Sequence, residues 1–106
     1  MTFGKFHHFG VPTNTKADHE MYIEAGKVFV TDPDSHPYRV EFLRFESDSP
    51  MPDALKTTPH AAFIVDDLEA ALEGQNVFIP PFDATDTLRV AFVKDNEALI
   101  ELMEMK

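Results

Sequence analysis

Apolar and polar positions alternate from Phe3 to Pro12, as a strand of period two requires, with Phe6, His8 and Gly10 on one side and His7, Phe9 and Val11 on the other. Pro12 ends this strand. Two further β-rich runs, Lys27 to Thr31 and Tyr38 to Phe45, flank Asp32-Pro33-Asp34-Ser35-His36-Pro37, a composition that predicts a tight turn and hence a hairpin. Between these pieces, Ala17, Met21 and Ala25 recur at helical spacing and Gly26 stands where a C-cap would fall. Residues 14–26 are therefore read as a helix, although Met21-Tyr22-Ile23-Glu24 also has strand character. From Ser47 to Pro59 three prolines and many polar residues show no apolar periodicity, which predicts a flexible linker.

Beyond the linker the pattern sharpens. His60, Ala62 and Ile64 alternate with Ala61, Phe63 and Val65 in a short strand. Asp66 can then cap a helix that carries Glu69 three residues on, as in a capping box, with Leu68, Ala71 and Leu72 as its apolar face and Gly74 at its end. Val77 to Ile79 forms a strand before Pro80-Pro81, and Leu88 to Val93 pairs with Ala98 to Met105 through Lys94-Asp95-Asn96-Glu97. This half reads β-α-β-β-β, and the first half fits the same order with a reduced helix or a missing strand, so the chain is read as an imperfect internal repeat.

The repeat matters because each half offers one imidazole and one carboxylate: His8 with Glu41, and His60 with Glu101. In strand alternation Glu41 shares a face with Leu43 and Phe45, and Glu101 shares one with Leu99 and Met103. A carboxylate on a buried apolar face must be paired, protonated or bound to a metal. Neutral imidazoles on the first strand of each half supply nitrogen donors, and the four groups together make an N2O2 ligand set for a divalent ion. The interval from His8 to Glu41 is 33 residues and that from His60 to Glu101 is 41, so the first half is eight residues shorter.

Competing readings are ordinary. His7 would exchange with His8 on a one-residue slip, and His8 is preferred because Phe9 and Val11 call for a helix-covered side. His19 and His36 fall at turn or helix-end positions where solvated polar roles are the rule, with His19 near enough to line a cleft mouth. No phosphate loop, nucleophile elbow or helical His-Glu-x-x-His occurs, and nothing places the glutamates across a sugar site.

Composition narrows the field further. At 106 residues the chain is a single domain, and without cysteine it has neither thiolate nucleophiles nor thiolate ligands. Nine basic against nineteen acidic residues give a formal charge of -10, which repels nucleic acid and anionic membranes. No apolar stretch has the length of a signal peptide or membrane span, so a cytoplasmic location is expected.

At His8-Phe9-Gly10-Val11, at Pro59-His60-Ala61-Ala62-Phe63-Ile64-Val65-Asp66-Asp67-Leu68-Glu69-Ala70-Ala71, and at Ile100-Glu101-Leu102, the sequence resembles the vicinal oxygen chelate superfamily, which groups glyoxalases, bleomycin-resistance proteins and dioxygenases. The likeness covers most of residues 3–105 and is stronger in the second half. It implies an α+β fold in which two βαβββ modules form a cupped mixed sheet. Module one would span about residues 1–46 in shortened form, the linker about 47–58 and module two about 59–106.

The same resemblance implies a divalent metal held by His8, Glu41, His60 and Glu101, with zinc, nickel, manganese, cobalt and iron all open. Two histidines with two glutamates look more like the glyoxalase I type than the dioxygenase type, whose iron is held by two histidines and one glutamate. The implied activity is that of a lyase, isomerase or epimerase moving a proton on a small oxygen-rich substrate. Glu101 is the favoured base and Glu41 the other candidate. Only Arg39, Arg44 and Arg89 are available to grip an anionic thiol conjugate, which speaks against a true lactoylglutathione lyase. A homodimer is expected, since a chain this small gains core by pairing. The alternatives are a metal-free binding protein of the bleomycin-resistance type, suited by its acidity to a cationic ligand, and an iron-dependent ring-cleaving dioxygenase.

Overall fold

The computed structural model describes residues 4–106. Phe3, assigned to the first strand by its pattern, lies outside them. The strands are β1 (Lys5–Pro12), β2 (Met21–Ile23), β3 (Val28–Val30), β4 (Val40–Phe45), β5 (His60–Ile64), β6 (Asn76–Thr85), β7 (Leu88–Asp95) and β8 (Ala98–Met105). Two short helices, α1 (Asp53–Thr57) and α2 (Leu68–Leu72), complete an α+β fold. All eight strands join one mixed sheet in the order β2-β3-β4-β1-β5-β8-β7-β6, with β1 parallel to β4, β5 parallel to β8, and β1 antiparallel to β5 at the centre. Ile23 of β2 and Phe82 of β6, from the two ends of this order, line one cavity, so the sheet curls into a half-barrel around it.

Alternation sorts the side chains onto two faces. Val90 and Phe92 of β7 point into the curl with Ile79, Leu99 and Met103, whereas Ala91 and Val93 point outward with Leu102. There α2 covers them, with Leu68 fully buried at the centre of the contact. The side chain of Asp67 caps α2 by accepting from Ala70 N at 3.2 Å. The cap thus falls one residue later than the Asp66 predicted by the capping-box spacing, because Asp67 is the residue left in extended backbone before the first turn. Gly74 follows the helix at φ 74°, a left-handed conformation that suits glycine after a helix end.

The first half departs from its predicted layout. Residues 14–26 contain no α-helix: Met21–Ile23 is a strand paired with β3, and Glu24–Gly26 is a 3-10 turn. Three apolar residues at helical spacing lacked a surface to pack against, while the strand character of Met21 and Ile23 found a hydrogen-bonded partner in β3. The loop before β2 is held by Glu20, whose carboxylate accepts from Arg44 Nη2 at 2.7 Å and Nε at 3.0 Å. The predicted β3–β4 hairpin forms, and its connection carries a 3-10 turn at Pro33–Ser35.

The segment read as a linker is ordered by packing. Leu55 of α1 is buried and lines the cavity, and Ser49 Oγ donates to the carbonyl of Gly26 at 2.6 Å. Nor do Pro80 and Pro81 end a strand, since β6 runs through them with register shifts on an edge that needs few donors. The last hairpin turns in two residues, Asn96-Glu97, with Asn96 at φ 55°; β8 begins at Ala98 as the pattern predicts, whereas β7 runs on to Asp95, two residues further than the sequence pattern suggests.

Strand β1 carries the correction with most bearing on function. Phe6 pairs with Phe63 and His8 with Ala62, so two steps along β1 match one along β5 and His7 is the additional residue of a β-bulge. The bulge resets the alternation. Phe6 does not share a face with His8; it packs at 4.8 Å between ring centroids against Phe9 and at 5.8 Å against Phe63. Phe9 is 48% exposed on the outer side of β1, whereas His8 points into the curl at 2% exposure.

Candidate metal centre

The strand register brings the four predicted groups into two rows. Glu41 of β4, Gly10 of β1 and His60 of β5 are cross-strand neighbours, and so are His8 of β1, Ala62 of β5 and Glu101 of β8. Each row has a histidine at one end, a carboxylate at the other and a small residue between, and the rows run in opposite senses across β1 and β5. The small residues make the arrangement possible. A Cβ on Gly10 would lie 2.2 Å from His60 Cε1 and 2.4 Å from its Nε2, so the imidazole of His60 rests directly on the Gly10 backbone. Ala62 is wholly buried under its own row.

His8, His60 and Glu101 are buried, and one potential ligand atom from each lies within 4.8 Å of the others. His60 Nε2 is 3.0 Å from Glu101 Oε1. His8 Nε2 lies 3.4 Å from Glu41 Oε1 and 3.7 Å from Glu101 Oε1. Glu41 therefore stands beside the cluster of three, and its side chain is somewhat more open, at 17% exposure against 11% for Glu101. His19 and His36 lie outside the cluster: His36 packs near Tyr38 and Phe42, and His19 lines a surface cleft that Glu41 also borders.

The electrostatics favour a cation. Burial disfavours the imidazolium of His8, but the carboxylates of Glu41 and Glu101 outweigh it and raise its pKa above the ordinary histidine value. The charge that draws a proton to this point also draws a divalent ion. Among the described residues the buried His8 Nε2 and His60 Nδ1 have no hydrogen-bond partner, and for His8 Nε2, which faces the two carboxylates, a metal bond would relieve that costly state. Two imidazoles and one or two carboxylates, with no thiolate, suit a borderline or hard divalent ion and meet the donor requirement.

Above the cluster is a cavity of about 80 Å³, several times the roughly 10–15 Å³ that one water requires. Its walls are apolar, including Val28, Val30, Leu43, Val90 and Met103, and among the described residues its charged or titratable lining is His8, Glu41 and Glu101 alone. Phe92 meets the ring of His60 edge-on at 5.3 Å and keeps water from that side.

Sequence reasoning passed over Gly10 and set His7 aside in favour of His8. Gly10 had a visible signal, since His8-x-Gly10 and His60-x-Ala62 both place a small residue two positions after the imidazole, on the same strand face. His7 had none, because period-two alternation assigns it to the far side and only the bulge turns it back.

No family model matches the sequence, and no curated protein matches it. A similar fold occurs in the crystal structure of a hypothetical protein from Bacillus halodurans, with a TM-score of 0.68, 15% identity, and coverage of 97% of this chain and 95% of that one. At that identity the likeness speaks for the fold. Among the described residues no helix is long and apolar enough to cross a membrane.

Proposed function

We propose that this protein is a divalent-metal-dependent lyase, isomerase or epimerase of the vicinal oxygen chelate type, built from two βαβββ-derived modules of which the first has lost its helix. The observation that carries the reading is the buried, unpartnered Nε2 of His8, set between two carboxylates and across from His60. The opposed rows Glu41-Gly10-His60 and His8-Ala62-Glu101 support a two-module origin, since each row takes one residue type from each corresponding strand. His8, His60 and Glu101 hold the ion, and Glu41 completes the set or stands free beside it.

A bound ion would supply Lewis acidity toward adjacent oxygens of a substrate. The chain's own groups do the rest. Glu101, 3.0 Å from His60 and 3.7 Å from His8, is fixed in place, while the more open Glu41 is the carboxylate that takes a proton from a substrate carbon and returns it. This reverses the order of preference that the sequence motifs gave to the two glutamates. The apolar walls exclude water, and a lining without lysine or arginine selects a small oxygen-bearing substrate rather than a large anionic conjugate. A cavity of about 80 Å³ also argues against sequestration of a bulky ligand.

Metal analysis of untagged protein tests the reading: about one divalent ion per chain is expected, lost in His60→Ala and Glu101→Gln. Solvent deuterium exchange into small hydroxyketones and oxoaldehydes should require both Glu41 and a bound divalent ion, whether or not that ion is redox-active. Absence of bound metal, or metal content indifferent to both substitutions, refutes the reading. One observation favours the ring-cleaving dioxygenase as second reading, namely that the three closest groups are two histidines and one glutamate. Iron content together with oxygen consumption would select it.

A further inference from the structure

The bulge in β1 turns two adjacent imidazoles toward each other, which regular strand geometry forbids. His7 Nδ1 lies 2.8 Å from His8 Nδ1, and the ring planes meet at 81° with centroids 5.0 Å apart. A hydrogen bond between two neutral imidazoles needs a proton on one Nδ1 and a lone pair on the other. With His8 as donor, its proton resides on Nδ1 and its Nε2 lone pair is left facing Glu41 and Glu101. The bulge is itself tied down. The carbonyl of His7 accepts from Arg39 Nε, Arg39 Nη2 pairs with Asp34 at 2.9 Å, and Phe9 N donates to the carbonyl of Arg39 at 2.9 Å. Both the position of His7 and its carbonyl are thereby fixed from the β3–β4 connection.

We propose that His7 is the positioning residue for His8: by accepting a hydrogen bond from His8 Nδ1 it fixes the ring's orientation and tautomer, leaving Nε2 as the metal-binding nitrogen. The inference rests on reading the cluster as a metal site, and it assigns to His7 no contact with the ion. A metal-bound imidazole whose other nitrogen is held by an outer partner gains both orientation and basicity. In this chain that partner is the preceding residue on the same strand, made available by one additional residue in the sheet.

Two substitutions in the full untagged chain separate an acceptor role from bulk. His7→Leu fills similar space without an acceptor, whereas His7→Asn places Oδ1 near the former Nδ1. With zinc as the probe, the affinity of His7→Leu should fall about 10–100-fold, and His7→Asn should recover most of the loss. Nitrogen-15 NMR of the zinc-loaded protein should find the proton of His8 on Nδ1, shielded from solvent exchange in the wild type and His7→Asn and exchanging freely in His7→Leu. Unchanged zinc affinity in His7→Leu, equal losses in both variants, or a wild-type His8 protonated on Nε2 would each overturn the proposal. If the wild type binds no zinc, the metal reading falls and the role assigned to His7 falls with it. If zinc binds and exchange of the His8 Nδ1 proton is indifferent to residue 7, the metal reading stands and the positioning role alone falls.

Discussion

Replacing Gly10 by alanine adds one methyl group to the centre of the site. Glycine in a strand interior is ordinarily a weakness, and Gly10 has no positive φ to justify it, so on backbone grounds alone Gly10→Ala would stabilise by about 0.5–1 kcal/mol. The register predicts the opposite. The new Cβ falls 2.2 Å from His60 Cε1, where ordinary contact begins at 3.4 Å, so the ring must retreat by the difference, about 1 Å. Phe92 stands behind it, and the retreat breaks the 3.0 Å contact between His60 Nε2 and Glu101. Overpacking of a filled core costs about 1–3 kcal/mol and a buried carboxylate left without its partner about 1–3 more, which after the backbone gain leaves a net loss of roughly 1–5 kcal/mol. For a chain of this size that lowers the melting temperature by at least about 4 °C. Urea denaturation of wild type, Gly10→Ala, His60→Ala and the double variant measures the coupling. In the His60→Ala background the ring is gone, and Gly10→Ala should become neutral or stabilising. A single variant within about 0.5 kcal/mol of wild type, or the same cost with and without the imidazole, refutes the cradle.

Other expectations follow from single contacts. Leu68→Ala, at the fully buried contact of α2 with the outer sheet face, should cost about 2–5 kcal/mol in urea denaturation, and a smaller loss would mean that the helix readily collapses onto the cavity. Asp67→Ala should cost about 1 kcal/mol through loss of the cap, while Asp66→Ala changes stability by less than about 0.5 kcal/mol; equal effects would contradict the observed cap. Tyr22 donates to Glu46 Oε1 at 2.5 Å, and this bond, with burial and neighbouring acidic groups after it, pushes the phenol pKa up to about 12. Because the folded-state value is raised, the stabilisation is fully present below the unfolded value near 10 and is lost as pH rises through about 12. Absorbance titration should show a tyrosinate step near pH 12 that Tyr22→Phe removes, and its persistence in that variant would assign the step elsewhere.

The second half of the fold was legible because its elements are long enough to declare a period and end on their own signals. Leu68, Ala71 and Leu72 fall on one helical face, Gly74 takes the positive φ expected after a helix, and Leu88 to Met105 form the expected hairpin. The first half was less so. Its Met21–Ile23 strand is three residues long, and at that length only the pairing with Val28–Val30 decides between helix and strand. Leu55 gave no sign in a proline-rich segment that it would reach the cavity, since a single buried residue makes no pattern.

By itself the sequence determined the kinds of donor present and the faces on which Glu41 and Glu101 would lie, because side-chain alternation is a property of any regular strand. It also placed His8 and His60 on the strands that carry them. Which of those groups meet was decided by tertiary structure. Parallel pairing of β1 with β4 and of β5 with β8 sets Glu41 beside Gly10 and Glu101 beside Ala62, and this register depends on contacts between residues 31 or 39 positions apart in the chain. The bulge at His7 is of the same origin. It exists because β1 must fit Phe6 to Phe63 and His8 to Ala62 at once, and only the partner strand carries the information that one residue has to be left over.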